Sequence, residues 1–137
     1  MDEIRVFCFT IFLAALLASC PVATAGTSHH GQRAVGRPLV VTGRVSTFGY
    51  LTGDSEGITA DGGTTARPCI ALRDDATLDR WFLVTVDGHH AKLIQCDWGP
   101  AAWTGRAIDI TGLGARALGL NPLAFPTGAW GVARELR

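Results

Sequence analysis

The sequence lacks an excess of charge of either sign, and this excludes one class of partner. Its 137 residues carry twelve Lys and Arg and twelve Asp and Glu, so the formal net charge is zero. A protein that attracts nucleic acid or acidic lipid through its overall field needs a clear basic excess. The composition therefore predicts no nucleic-acid partner. The length is that of a single domain.

A long apolar run is also missing. The most apolar stretch, residues 6–18, is interrupted only by Thr10 and is too short to span a bilayer comfortably. Small residues follow it at once, which is the pattern of an export signal. Residues 1–25 are therefore predicted to be a signal peptide. The polar, Gly-rich residues 26–38 are predicted to form a flexible linker.

Two processing sites compete within this segment. Residues 23–25 (Ala-Thr-Ala) have the small-x-small form of an ordinary signal-peptidase site, which would give a soluble mature chain. Residues 17–20 (Leu-Ala-Ser-Cys) resemble a bacterial lipobox, in which Cys20 becomes the lipid-modified first residue. We expect an exported protein that is periplasmic, an outer-membrane lipoprotein or secreted. The predicted membrane contact is through Cys20 alone.

Cysteine is scarce, and its positions predict one disulfide. Cys8 lies in the signal, and Cys20 is either removed or lipidated, which leaves Cys69 and Cys96. Two cysteines in an oxidising compartment predict a disulfide bond. The alternative is a Cys/His metal site that uses His89 and His90. Neither the spacing nor the number of ligands matches a zinc motif, so no metal is predicted.

Long helical patterns are missing as well, and short strand patterns take their place. Strands are predicted at residues 39–46, 69–72, 81–86, 90–96, 106–110 and 130–136. Asp87-Gly88 predicts a tight turn between the third and fourth of these. Thr111 is predicted to cap a helix that runs to about Leu118 and stops at Gly119, with Leu113, Ala117 and Leu120 on its core side.

This pattern predicts an all-β fold, a small six-stranded barrel with one or two short helices. A barrel of this size is filled by its own side chains, so its ligand must bind in a surface groove. Residues 112–117 (Gly-Leu-Gly-Ala-Arg-Ala) fit the dinucleotide fingerprint, but a nucleotide site needs a βαβ unit in a larger parallel sheet. No cofactor is predicted.

Two acidic residues are candidates for chemistry. Asp97 ends the second strand of the hairpin, and Asp109 lies between Ile108 and Ile110 in a strand that would half bury it. An Asp in such surroundings is costly unless it has partners or a task. The structural alternative is that Asp109 accepts backbone hydrogen bonds and caps the following helix. The spacing also allows the two carboxylates to meet at a groove, where repulsion would raise the pKa of one of them.

The second half of the chain contains Asp-Trp-Gly-Pro at residues 97–100 and Gly-Arg-Ala-Ile-Asp-Ile-Thr at residues 105–111. Upstream lie Val-Ser-Thr-Phe-Gly-Tyr at residues 45–50, Thr-Ala-Asp-Gly at residues 59–62 and Ile-Ala-Leu at residues 70–72. These stretches resemble the rare lipoprotein A family, the first two well and the others more loosely. The resemblance covers about residues 39–137 and implies a double-psi β-barrel in the bacterial envelope. It implies peptidoglycan or another cell-wall glycan as the partner. Through related lytic transglycosylases and expansins it implies Asp109 as the acid/base, with Asp97 beside it.

Aromatic residues near these motifs are candidates for stacking on sugar rings. The predicted substrate contacts are Tyr50, Trp98 and Trp103, together with Thr59 and Arg106 of the matched motifs. Trp81 and Trp130 fall within strands and are expected in the core. We expect the protein to act as a monomer.

Two positions depart from the family pattern and keep a second function open. Gly63 stands where the family has Glu, and Leu72 stands where it has His; Asp61, Asp74 or Asp75 could compensate. One hypothesis is a lytic transglycosylase that uses Asp109. The other is a non-catalytic glycan-binding or expansin-like module that uses the same groove.

Overall fold

The computed structural model describes residues 36–54 and 57–137. The predicted signal peptide, Cys20 and most of the predicted linker lie outside these residues. No helix in the described part of the chain is long and apolar enough to cross a membrane.

Six strands form a closed barrel, which confirms the predicted all-β class. The strands are β1 (Val40–Phe48), β2 (Cys69–Leu72), β3 (Trp81–Val86), β4 (His89–Trp98), β5 (Ile108–Thr111) and β6 (Trp130–Glu135). Their order around the barrel is β1, β5, β2, β4, β3 and β6. Helical structure among the described residues is one six-residue α-helix, α1 (Gly112–Ala117), and three short 3₁₀ turns.

The barrel combines parallel and antiparallel neighbours. The pairs β1–β5 and β2–β4 are parallel, and the other neighbouring pairs are antiparallel. Parallel neighbours cannot be joined by a hairpin. Between β1 and β5 the chain passes through β2, β3 and β4, and between β2 and β4 it passes through β3. The hairpin β3–β4 turns at Asp87 and Gly88, whose φ angles of 48° and 86° are those that a two-residue turn needs.

The core lies inside the barrel and is built from alternate residues of the strands. The fully buried aliphatic and aromatic side chains are those of Ile70, Leu72, Phe82, Val84, Val86, Leu93, Ile108 and Ile110. Each contributes about 1.5–3 kcal/mol by leaving water. The interior is narrow, because a Cβ at Gly131 would stand 2.6 Å from Cγ2 of Val45.

The expectation that Trp81 and Trp130 belong to the core is wrong. Their side chains are 52% and 57% exposed. Successive residues of a strand point to opposite faces, and Phe82 and Gly131 hold the inward positions beside them. The narrow interior accepts Gly and Ala from β6 and leaves the indole of Trp130 on the outer surface.

The helix α1 begins as predicted, with Thr111 accepting a hydrogen bond from the backbone N–H of Gly114. It ends before Gly119, whose φ is 78°. Its buried face differs from the prediction, because Ala115 and Leu118 are buried whereas Ala117 is exposed. The reason is close packing, since a Cβ at Gly112 would collide with the backbone carbonyl oxygen of Tyr50. The glycines of the fingerprint-like segment therefore serve packing.

The predicted disulfide between Cys69 and Cys96 is present, with a Cα–Cα distance of 5.8 Å. The register of β2 on β4 passes from the pair Ile70–Gln95 to the pair Ala71–Asp97. Cys96 is therefore the extra residue of a β-bulge, a local irregularity that re-aims the residues that follow. Because both sulfurs form the bridge, neither is available for the alternative Cys/His metal site.

Candidate functional site

Asp109 lies on the outer face of the barrel between two other strands. Its neighbours in register are Ser46 on β1 and Ala71 on β2. The buried side chains of Ile108 and Ile110 point inward, so alternation directs Asp109 outward. The Asp109 side chain is nevertheless only 14% exposed, and its Oδ1 accepts a hydrogen bond from the Ser46 hydroxyl.

Two arginines flank this carboxylate. Arg106 Nη1 donates to Ser46 Oγ at 2.8 Å and lies 3.8 Å from Asp109 Oδ1. Arg73 is held to the following loop, since its Nε donates to the Pro100 carbonyl at 2.8 Å and its Nη2 donates to the Arg106 carbonyl. Ser46 thus accepts from Arg106 and donates to Asp109, which fixes the direction of the carboxyl group.

Burial raises the pKa of Asp109 above its ordinary value. The hydrogen bond from Ser46 and the charges of Arg106 and Arg73 act in the opposite direction and offset only part of that rise. Asp109 therefore keeps its proton to a higher pH than a free Asp does, which a general acid requires. The structural alternative is wrong in one respect, because Thr111 and not Asp109 caps α1.

A surface pocket of about 350 Å³ opens beside this group of residues. Its polar lining consists of two arginines and four hydroxyl side chains, namely Arg44, Arg106, Ser46, Thr47, Thr104 and Thr127. Phe125 and Pro126 supply an apolar wall. Hydrogen-bonding side chains beside an aromatic ring are groups that can bind a sugar. Asp109 does not line the pocket itself, but it contacts Ser46 and lies 3.8 Å from Arg106, which do.

Asp97 lies on the other side of β2. Both Asp97 and Asp109 are in register with Ala71, so their Cα atoms are about 10 Å apart across two strand spacings. A Cβ at Gly99 would stand 4.0 Å from that of Ala71, which places the chain after β4 over the gap. The expected juxtaposition of the two carboxylates is therefore absent, and the raised pKa of Asp109 has burial as its cause instead.

Local hydrogen bonds hold the Asp97 carboxylate. Its Oδ1 accepts from the backbone N–H groups of Trp98 at 2.8 Å and Ala60 at 3.2 Å. The bond from Ala60 ties the end of β4 to the connection between β1 and β2, whereas the bond from Trp98 lies within the end of β4. Asp97 thus supports the end of β4, where Trp98 lies.

The predicted aromatic contacts are on the surface. Trp98 is 61% exposed and Trp103 is 89% exposed. Trp103 precedes Thr104, a lining residue of the pocket, within the 3₁₀ turn Ala102–Thr104. Tyr50 is also exposed and lies in the turn after β1. Trp103 is therefore placed beside the pocket, whereas Trp98 extends from the end of β4 next to Asp97.

Thr59 is buried within a turn of the β1–β2 connection. Its hydroxyl donates to Asp61 at 2.6 Å, and Asp61 also accepts from the Gly63 N–H at 3.0 Å and forms an ion pair with Arg67. Burial would raise the pKa of Asp61, but the hydrogen bonds from Thr59, Arg67 and Gly63 together lower it. Asp61 holds this turn, and Thr59 has no open path to a ligand.

The structure shows what surrounds Gly63 and Leu72, the two positions that depart from the rare lipoprotein A pattern. A Cβ at Gly63 would stand 2.7 Å from Arg67 Nη2, so the guanidinium fills the place of the family's Glu side chain. Leu72, in place of the His, is fully buried in the core. Asp74 accepts from the backbone N–H of Ala76 and caps the 3₁₀ turn Asp75–Thr77. Neither Asp61, Asp74 nor Asp75 lines the pocket beside Asp109.

Sequence reasoning missed Arg44, Ser46 and Arg73. Arg44 and Ser46 alternate with buried residues of β1 and therefore share its outer face. That alternation is visible in the sequence, but the pairing of β1 with β5, which brings Ser46 to Asp109, is not. Within the described residues, no group of three or more His, Cys, Asp and Glu could hold a metal ion.

No protein-family model matches this chain, and no curated protein matches it. Among solved structures it is similar to the Streptomyces papain inhibitor, with 16% sequence identity and a TM-score of 0.51. The match covers 72% of this chain and 96% of the inhibitor. At this identity the likeness shows a shared fold and nothing about activity.

Proposed function

We propose that this chain is an exported cell-envelope protein that acts on peptidoglycan glycan strands as a lytic transglycosylase-like enzyme of the rare lipoprotein A type. One observation carries the proposal. Asp109 is a largely buried carboxyl group of raised pKa that contacts Ser46 and lies 3.8 Å from Arg106, two residues that line a pocket of hydroxyls and arginines. A single acid of this kind is sufficient for the reaction.

In the proposed reaction Asp109 first gives its proton to the glycosidic oxygen, the bond between this oxygen and C1 breaks, and the next sugar leaves with a free hydroxyl. The carboxylate that remains then takes the proton of the C6 hydroxyl of the sugar that carries C1, and the C6 oxygen bonds to C1 and closes a 1,6-anhydro ring. Asp109 ends in its starting protonation state, and no water is consumed. A carboxyl group with a raised pKa is suited to act first as the general acid and then as the general base.

The neighbours of Asp109 have positioning roles in this scheme. Ser46 fixes the carboxyl group through its hydrogen bond, and Arg106 stabilises the carboxylate at 3.8 Å after the first proton transfer. Asp97 does not contact Asp109, and its carboxylate is held by the backbone N–H groups of Trp98 and Ala60. We assign it to holding the end of β4, where Trp98 lies.

A non-catalytic glycan-binding or expansin-like module is the second candidate. The observation that favours it is the loss of two family side chains, since Arg67 occupies the space beside Gly63 and Leu72 is in the core. Such a module would use the same pocket and the same exposed tryptophans. It differs from the enzyme only in leaving the glycan intact.

Incubation of the purified domain with peptidoglycan separates the two functions. The transglycosylase proposal expects soluble products with 1,6-anhydro ends from the wild type and none from Asp109→Asn. Asp97→Asn is the matched control, because it neutralises a second acid on the same side of the barrel and should retain most activity. Glycan binding without any product from the wild type would establish the binding module instead.

Export is part of this proposal and rests on the sequence of residues 1–25. The mass of the mature chain isolated from cells distinguishes the two processing sites. A lipid-modified Cys20 at the first position supports the anchored form. A chain that begins with Gly26 excludes the anchor.

A further inference from the structure

The pocket beside Asp109 contains one basic side chain that the proposed reaction does not use. Arg44 projects from the outer face of β1, and its guanidinium has no hydrogen-bond or ion-pair partner among the described residues. Arg106, by contrast, faces the Asp109 carboxylate. The pocket is lined by these two arginines and by no acidic side chain, and only Arg106 is close to a carboxylate, so the charge of Arg44 is uncompensated.

An exposed aromatic ring stands next to Arg44. Arg44 is paired in register with Trp130 on β6. The N–H of Val45 donates to the carbonyl of Ala129 at 2.9 Å, so Arg44 and Trp130 form a non-hydrogen-bonded pair, the type in which side chains come closest. The side chains of Arg44, which lines the pocket, and Trp130 therefore leave the outer face of the sheet next to each other.

Arg44 lies close to the proposed acid along β1, and Trp130 lies one strand further away. Arg44 and Ser46 are two residues apart on the same face of β1, which is about 6.6 Å along the strand. The hydroxyl of Ser46 reaches Asp109 directly. Trp130 lies on the far side of β1 from Asp109, two strand spacings across and two residues along, so their Cα atoms are roughly 12 Å apart. A sugar stacked on Trp130 would therefore lie further along the glycan than the ring next to Asp109.

We propose that Arg44 and Trp130 form a subsite for an acidic sugar, in which the ring stacks on the indole and its oxyanion binds the Arg44 guanidinium. The inference deepens the proposed function and rests on it, since it names the class of glycan. A planar guanidinium suits both carboxylate and phosphate oxyanions. Stacking on an aromatic face beside it selects an anion that is attached to a sugar.

Binding of three oligosaccharides of equal length tests the subsite. The first is a uronic-acid oligomer, the second is its uncharged methyl ester, and the third is a sugar-phosphate oligomer. Titration calorimetry at about 0.1 M salt keeps distant charges screened beyond roughly 10 Å. The wild type is expected to bind at least one acidic oligomer at least tenfold more tightly than the methyl ester. The better of the two acidic oligomers identifies the oxyanion.

Two variants and one control locate the effect. Arg44→Gln should remove the preference for the acidic oligomer and leave binding of the methyl ester unchanged. Trp130→Ala should weaken both, because stacking does not depend on charge. Arg134→Gln is the control, because Arg134 is another exposed arginine that lies on β6 four residues after Trp130 and outside the pocket. It should change the binding of neither the acidic oligomer nor the methyl ester.

The proposal is overturned by equal binding of acid and ester, by no binding of any oligomer, or by equal losses in Arg44→Gln and Arg134→Gln. Its failure differs from failure of the proposed function. Formation of anhydro products without preferential binding of an acidic oligomer would support the transglycosylase and reject the subsite. A charge preference carried by Arg44 with no anhydro products would leave an acidic-glycan subsite without the enzyme.

Discussion

At the scale of the residue, the site consists of one acid whose surroundings work against its ionisation. Asp109 is largely removed from water, and this burial raises its pKa. The Ser46 hydroxyl and the guanidinium groups of Arg106 and Arg73 favour the charged form but offset only part of the rise. Asp61 is the opposite case, because a dense set of hydrogen bonds outweighs burial and lowers its pKa. The same residue type is thus prepared for proton transfer in one place and for structural support in the other.

The raised pKa of Asp109 predicts the effect of Asp109→Asn on stability. A carboxyl group whose pKa is higher in the folded chain than in the unfolded chain stabilises the fold most at pH values below its unfolded pKa. This stabilisation is lost as the pH rises through the pKa of the folded chain. The Asn variant keeps an acceptor for Ser46 and avoids the buried charge. We therefore expect it to be as stable as the wild type, or more stable, at pH 7.

Urea denaturation at pH 3 and pH 7 measures this difference. The advantage of the Asn variant should shrink or reverse at the lower pH, where the wild-type carboxyl is protonated. An Asn variant that is markedly less stable than the wild type at pH 7 would show that the ionised carboxylate holds the fold together.

At the scale of the element, local patterns predicted most of the architecture. The bounds of β2 and β3 and the turn at Asp87-Gly88 agree with the structure, as does the cap of α1 at Thr111. Each of these depends on a few consecutive residues. The site was harder to predict because Ser46 meets Asp109 through parallel pairing of strands that are distant in sequence.

The wrong predictions for Asp97 and Trp130 have the same cause. The separation of Asp97 from Asp109 depends on β2 lying between their strands, which their spacing along the chain does not reveal. The exposure of Trp130 depends on the width of the barrel interior. Both are properties of the closed sheet rather than of any single strand.

The packing of α1 on the connection after β1 predicts a large effect of Gly112→Ala. Helix propensity alone would favour Ala by about 1 kcal/mol. The added methyl group would instead collide with the carbonyl of Tyr50 and crowd Leu51, so we expect a net loss of roughly 1–3 kcal/mol. Gly57→Ala is the control, since a Cβ there meets no atom within 4 Å. Equal stability of the two variants would contradict the close packing.

At the scale of the whole molecule, a small barrel is closed around a narrow core and joined across β2 and β4 by one disulfide. Small domains bury a limited fraction of their surface and gain much of their stability from such links. The outer face is then free to carry polar and aromatic groups. The four tryptophans of the chain are all exposed there.

Replacement of both Cys69 and Cys96 by Ser should lower the free energy of unfolding by about 2–5 kcal/mol. The chain without its bridge gains conformational freedom when unfolded, and the buried sites receive two polar hydroxyls. Chemical denaturation of the two forms measures the loss. Alkylation of both thiols in the folded wild-type protein from the exported fraction would show that the bridge does not form.

The proposed function requires that Asp109 retains its proton at a pH where an ordinary Asp has lost it. The most direct measurement is a carbon-13 NMR titration of the Asp carboxyl groups, with Asp109 assigned by its absence from the Asn variant. We expect Asp109 to titrate above the ordinary value of 3.8 and Asp61 to titrate below it in the same spectra. Ser46→Ala should raise the pKa of Asp109 further, because the hydrogen bond that favours its charged form is lost. An Asp109 that titrates at or below 3.8 would contradict its assignment as the general acid.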